Sequence, residues 1–531
     1  MMVRSRAHAL LFRAGLAGAL CAVVVGGTVA AQEGPPTYVE RYRPQYHFTP
    51  AINWMNDPNG LVFFDGEYHL FYQFNPFGDT WGHMSWGHAV SRDLVHWTHL
   101  PVAIPEENGV MAYSGSAVVD WKNTSGFGQG GKPPLVAIYT GDRKTNESQY
   151  IAYSNDRGRT WTRYARNPVL DVGKADFRDP KVFWYEPQQR WIMVLALPPE
   201  HKVSLYGSRD LKQWTHLSNF GPAAATGGVW ECPDLFELPV DGDRRNSRWV
   251  LIVNLNPGGP VGGSGTQYFV GHFDGTRFTP DAPARATADS IRWADFGKDF
   301  YAGVSWSDIP RTDGRRVWIG WMSNWQYAKQ IPTAPWRSAQ SLPRTLALTS
   351  TSDGIRLVQQ PVVELQSLRG APRRVAARTI PQGVTSLDSL GIAGTSMEIV
   401  AELEAGSASE FGLKVRTGPT EETVIGVDPK ARRFFIDRTR SGDTSFHRDF
   451  SGRHYAPLPI ENGRVRLHIF VDWSSVEVFA GDGRSVITEQ VFPAPESRGV
   501  ALYATGGAAR LVSLEAWPLA SAWTVSPRHR D

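Results

Sequence analysis

Cysteine is almost missing from this chain, with two among 531 residues. One of them, Cys21, lies in an apolar run near the N-terminus, which leaves Cys232 alone in the rest. A lone cysteine excludes a disulfide framework, so stability has to come from packing. Charge of one sign is missing too: 55 Lys and Arg face 52 Asp and Glu, a formal net charge of +3. That balance excludes the basic footprint of a nucleic-acid binder and gives no reason for adhesion to an anionic membrane. Apolar runs long enough to span a bilayer are absent after residue 31. The earlier run, residues 14–31, follows Arg4, Arg6 and Arg13 and ends in Val29-Ala30-Ala31. This is the layout of an export signal, so residues 1–31 are expected to be a cleaved signal peptide. The remaining chain is expected to be secreted, extracellular or periplasmic, with no membrane attachment.

Helical periodicity is hard to find, whereas tryptophan, at 20 residues, is abundant. Indole rings fill β cores and also stack on sugar faces. A repeat runs through the first two thirds: Ser91-Arg-Asp-Leu-Val-His-Trp97, Ser154-Asn-Asp-Arg-Gly-Arg-Thr-Trp161 and Ser208-Arg-Asp-Leu-Lys-Gln-Trp214. A weaker fourth copy occupies residues 273–278. Each reads as a hairpin in which Ser and Asp close the turn and Trp opens the return strand. Strand-like runs at residues 68–74, 135–139, 191–196 and 249–254 precede these turns. Such units fit propeller blades, with room for a fifth around residues 317–325. From residue 361 the repeat stops and alternating runs follow, at residues 397–404, 411–416, 433–437, 465–479, 500–504 and 509–517. These read as an antiparallel sandwich. The fold class is therefore all-β, a five-bladed β-propeller over residues 32–358, then a β-sandwich over 359–518 and a flexible tail over 519–531.

Residues 53–60, NWMNDPNG, carry turn chemistry between apolar segments and would hold Asp57 rigidly. Asp57, Asp179 in Phe-Arg-Asp-Pro and Glu231 in Trp-Glu-Cys-Pro-Asp each lie upstream of an outer hairpin, as does Tyr113-Ser114-Gly115-Ser116. If the hairpins are outer edges, these segments are innermost strands facing the central channel. Singly, Asp57 would pass for an ordinary Asx turn and Arg178–Asp179 for a surface pair. Three acids in one concavity raise one another's pKa, a cost tolerated for chemistry. A carboxylate beside a protonated carboxyl is the equipment for glycosidic cleavage. Glu231, flanked by Trp230, Cys232 and Pro233, is expected to keep its proton. His83 and His88 offer no evident third ligand, so neither a metal nor another cofactor is expected.

The chain resembles glycoside hydrolase family 32, the secreted exo-inulinases, levanases and invertases. The resemblance is carried by residues 54–60 (WMNDPNG), 71–76 (FYQFNP), 86–89 (WGHA), 114–117 (SGSA), 177–180 (FRDP), 230–234 (WECPD), 319–325 (IGWMSNW) and 472–479 (DWSSVEVF). It implies the same propeller and sandwich. It also implies Asp57 as nucleophile, Glu231 as acid/base and Asp179 as transition-state stabiliser. Trp54, Asn56, Gln73, Trp81, Tyr113, Ser114, Arg178 and Trp325 would line the fructose pocket, although Phe is commoner than Tyr at position 113. Retention would set Asp57 and Glu231 roughly 5–5.5 Å apart. Asp57-Pro58, where endo-acting relatives tend to carry Glu, and Trp81 resemble exo enzymes. The implied activity is release of terminal β-fructosyl units from inulin or levan, and from sucrose. Alternatives are an invertase acting mainly on sucrose and a fructan-binding protein without catalysis. Residues 154–161 also match the Asp box of sialidases, but a Tyr nucleophile and an arginine cluster are not evident beside it. The sequence does not define the oligomeric state.

Overall fold

The computed structural model describes residues 37–282, 290–458, 460 and 463–523. The expected signal peptide and residues 524–531 lie outside the described residues. Five four-stranded antiparallel blades surround a channel, and their innermost strands are Asn53–Phe64, Met111–Val119, Arg178–Tyr185, Val229–Val240 and Tyr301–Ser305. The fifth blade, expected around residues 317–325, has Arg316–Met322 as its second strand and ends with Gly354–Pro361. Closure comes from Trp336–Arg337, which pairs in parallel with Asn53 and Trp54 of the first inner strand.

The repeated hairpins are outer edges because their side chains complete the turn. Asp93 Oδ1 accepts from the backbone of Val95 and His96, and Asp210 Oδ1 does the same for Lys212 and Gln213. Asp156 Oδ1 accepts from Thr160 N, and Asp274 Oδ1 from Thr276 N and Arg277 N. The tryptophans Trp97, Trp161 and Trp214 each donate back into their own turn, to Leu94, Gly158 and Leu211 carbonyls. A local bond network thus replaces the ladder where the strand reverses.

Residues 53–60 are not a turn. They form the first two thirds of a buried 12-residue inner strand. The Asn, Asp and Pro are accommodated by a β-bulge, where a strand tolerates residues that a regular ladder rejects. The same irregularity recurs in every blade. Asn56-Asp57 oppose Gln73 alone, and Tyr113-Ser114 oppose Thr140. Asp179-Pro180 oppose Leu195, Cys232-Pro233 oppose Val253, and Ala302-Gly303 oppose Gly320. A second bulge in the first strand requires Gly60, at φ 53°. A Cβ there would lie 2.6 Å from both Phe71 and Trp86.

The sandwich packs two sheets over an aliphatic core containing Ile399, Leu413, Ile425, Leu467, Val478 and Leu502. The strong alternation of residues 397–404 becomes the strand Met397–Glu404; the long run 465–479 is broken into Arg464–Val471 and Ser475–Ala480 by a turn around Asp472. Its junction with the propeller is a buried polar network. Arg344 donates to Asp295 (3.0 Å) and Glu477 (2.6 Å), and Arg438 donates to Asp299 at 2.6 Å. His47 bridges Asp472 (2.8 Å) and Glu477 (2.9 Å). Leu519, Ala522 and Trp523, assigned by sequence to a flexible tail, are buried; Trp523 stacks on Tyr38 at 4.2 Å and donates to the Pro44 carbonyl. Apolar burial outweighs the loss of chain freedom at these three residues.

Burial by itself would lower the pKa of His47, but its bonds to Asp472 and Glu477 overcome that and raise it from 6.5 to about 9. A raised folded pKa contributes stability that is complete below pH 6.5 and is lost as pH rises through 9. The contribution is about 3 kcal/mol at most. Urea unfolding midpoints should fall between these two pH values. His47→Gln should flatten that decline; an unchanged slope would contradict the bridge.

Candidate active site

The five bulges sit at the same level of the channel and aim side chains inward from neighbouring strands. Three of their backbones adopt left-handed φ without glycine: Asp179 (65°), Cys232 (43°) and Ala302 (52°). Such strain costs of order 1–3 kcal/mol each and persists only when the surroundings enforce it. Here the preceding blade supplies the enforcement. Thr140 Oγ1 accepts from Asp179 N (3.0 Å), Asp179 Oδ2 from Cys232 N (2.9 Å), and Asn254 Oδ1 from Gly303 N (3.2 Å). Between the first two blades, Gln73 Nε2 donates to the Ala112 carbonyl at 3.0 Å. The amides freed by bulging are thereby satisfied by the neighbouring blade rather than along the ladder.

Asp57 is buried, and three donors hold its carboxylate. Asn56 Nδ2 reaches Oδ1 at 3.0 Å, while Ser114 Oγ (2.7 Å) and the Cys232 thiol (3.6 Å) reach Oδ2. Burial raises its pKa, the bonds from Asn56 and Ser114 oppose this, and the charge of Glu231 adds to the rise. For Asp179 burial is again the largest effect. Arg178 opposes it, Glu231 and Asp57 reinforce it, and the carboxyl ends well above the ordinary range. Like charges crowded in low dielectric retain a proton between them.

Glu231 is 20% exposed. Its Oε1 accepts twice from Arg178 (3.0 and 3.2 Å) and its Oε2 from the Tyr301 hydroxyl. The apolar flank expected from its sequence neighbours is not what surrounds it. Trp230 is fully buried in the blade core and donates to the Ala225 carbonyl, because strand neighbours point to opposite faces. Arg178 is itself steered by Glu147 (3.1 Å) and Asp176 (2.8 Å).

Of the expected pocket residues, Asn56, Ser114 and Arg178 converge on the acids, while Gln73, opposite Asn56-Asp57 in the ladder, is bonded to the Ala112 carbonyl. Trp81, Tyr113 and Trp325 are half-buried in an apolar cluster with Trp321 and Met84, forming a wall beside them. The loop bearing Trp81 is fixed by Asn75, which donates to the Thr80 carbonyl and accepts from Phe77 N. Trp54 has no exposed surface and stacks on Trp325 at 6.0 Å, so its expected sugar contact is indirect. It acts through Asn56, whose Oδ1 accepts its indole N–H at 2.8 Å. His83 pairs with Glu106 and His88 with His69, in separate places. Tyr301 and Glu147 were not foreseen. Tyr301 occupies in the fifth blade the position of Glu231 in the fourth, but that blade lacks the Ser-Asp-Trp hairpin that located the others.

Residues 47–361 match the family model for the glycosyl hydrolases family 32 N-terminal domain, and residues 364–518 match that for the family 32 C-terminal domain. A levanase of Bacillus subtilis (strain 168) is 54% identical over 496 residues, covering 92% of this chain and 72% of that protein. An extracellular exo-inulinase of Aspergillus ficuum is 45% identical over 522 residues, covering 92% of this chain and 96% of that one. Among solved structures, the exo-inulinase from Aspergillus awamori is similar with a TM-score of 0.87 at 44% identity, covering 92% of this chain and all of that one.

The Cys232 thiol is buried among three acids, and burial pushes its pKa well up. A thiolate is the reactive form, so this cysteine should be inert. A disulfide-exchange reagent should leave it unlabelled in native protein and label it once denaturant is added; rapid native labelling would contradict this packing.

Proposed function

The chain belongs to glycosyl hydrolase family 32, and on that premise we propose that it is an exo-acting, retaining β-fructosidase. It would remove terminal β-D-fructofuranosyl units from inulin or levan, with sucrose as a further substrate. The observation that carries this reading is the convergence of three carboxyl groups from three inner strands in one buried channel, each with a different set of donors.

Asp57 is the nucleophile in this reading. Its oxygens are restrained by Asn56, Ser114 and Cys232, so the attacking carboxylate needs no reorientation. It attacks the anomeric carbon while Glu231 protonates the departing glycosidic oxygen, leaving a fructosyl ester on Asp57. Glu231 then takes a proton from water, the water oxygen bonds to the anomeric carbon, and Asp57 is released. Asp179 grips fructosyl hydroxyls. Arg178 and Tyr301 position Glu231 from its two sides. The wall of Trp81, Tyr113 and Trp325 would close the pocket behind one terminal unit, which is why chain-end attack is favoured. The curated exo-inulinases among the relatives are described as extracellular, which supports export of this protein as well.

A product time course on inulin, levan and sucrose should show fructose alone from the first minutes. Early oligosaccharides would mean internal cleavage and would contradict the exo reading. Asp57→Asn should lower turnover by roughly 10⁴-fold or more while fructan still binds. Because burial raises the Asp57 pKa above 3.8, activity should fall on acidification at a pH above the ordinary aspartate range, as the nucleophile protonates.

A further inference from the structure

The channel has a second mouth. All five inner strands run from their bulges toward C-terminal ends at the opposite face, and there the structure holds a cavity of about 1120 Å³. Ligand sites are typically ~300–1,000 Å³. Phe64, Trp121, Lys181, Trp184, Asp234 and Asp308 line it, and it shares no residue with the acidic cluster. Phe64 is seven strand residues beyond Asp57, which at about 3.3 Å per residue separates the two ends by about 20 Å.

Trp121 at its rim is 61% exposed, yet it is pinned. Its indole N–H donates to Asp308 Oδ1 at 2.9 Å, and Asp308 Oδ2 accepts from Val119 N at 2.9 Å. Phe64 supports the ring at 5.8 Å. An exposed, rigid aromatic face is a platform with little ordering left to lose. On the adjacent blade, Trp184 carries Lys122 at 4.7 Å over its ring, and its N–H is taken by Glu186.

The floor is polar and buried. Asp234 is fully buried; its Oδ2 accepts from Ser305 N and Oγ, both at 2.7 Å, and faces Lys181 at 3.5 Å. Its Oδ1 has no protein partner. The lining carries both signs of charge, with Lys181 facing Asp234 and Lys122 facing Glu186, so it singles out neither an anion nor a cation. The open face of Trp121, with Trp184 beside it at the rim of a cavity this size, matches a neutral polyhydroxylated chain.

We propose that this distal mouth is a second carbohydrate site that holds a fructan chain away from the end being cleaved. The proposal rests on the β-fructosidase reading for its choice of sugar. The buried floor blocks passage through the channel, so a long polymer passing round the outside of the propeller engages both mouths and gains affinity through effective concentration, while sucrose is too short to do so and reports the acidic mouth alone.

The test is affinity electrophoresis of Asp57→Asn protein through gels containing levan, inulin or a soluble β-glucan, with and without Trp121→Ala or Trp184→Ala. Each tryptophan replacement should weaken retardation by fructan about 3- to 10-fold. In the Asp57 protein the same replacements should raise KM for fructan by a similar factor and leave kcat and all sucrose kinetics unchanged. Unchanged retardation and unchanged fructan KM in both variants would overturn the proposal, and so would retardation by β-glucan alone. An equal loss on sucrose would also overturn it, since that is the mark of general disruption. Failure of the underlying reading looks different: the unaltered protein would hydrolyse neither sucrose nor fructan.

Discussion

One extra residue in each innermost strand is the constraint on which the rest of the structure depends. A regular strand sends alternate side chains to opposite faces, so consecutive residues could not both serve the channel. The bulge breaks that alternation at the same level in all five blades, and Asn56 and Asp57 both join the site as a result. It also frees backbone groups, and these become the means by which each blade grips the next. Thr140 holds Asp179, Asp179 holds Cys232, and Asn254 holds Gly303. Positioning and ring closure therefore share the same bonds.

The electrostatics follow from that geometry. Three acids are forced together where water is scarce, and burial pushes Asp57 and Asp179 upward in pKa. Arg178 is the compensating charge, oriented in turn by Glu147 and Asp176. Removing one partner of such a buried network leaves an uncompensated charge and costs far more than the network itself contributes. The propeller–sandwich junction obeys the same logic through Arg344, Arg438 and His47. Those pairs give the sandwich a structural part in holding the fifth blade, since Arg344 lies on that blade's third strand.

What could be read from the sequence was what is local. The Ser-Asp-Trp hairpins carry their own bonds within a few residues, so the outer edges of the blades that have them were legible. The aliphatic alternation of the sandwich was legible for the same reason. The stretch around Asp57 was misread as a turn because bulges and turns recruit the same residues, Asn, Asp, Pro and Gly, and differ only in the partner strand. Tyr301 escaped notice because its blade lacks the repeat. The burial of Trp523 escaped because Tyr38 and Pro44 lie almost the whole chain away from it. The distal mouth is built from the far ends of several inner strands, which no single segment announces.

The central claim is that Asp57 bonds to the sugar during turnover. The most direct measurement is acid quenching during steady-state hydrolysis of a short fructan, followed by peptide mass spectrometry. The expected result is one anhydrofructosyl unit on the peptide containing Asp57, absent from Asp57→Asn protein. Turnover with that peptide unmodified, together with initial release of α-fructose, would contradict a covalent intermediate and the role assigned to Asp57.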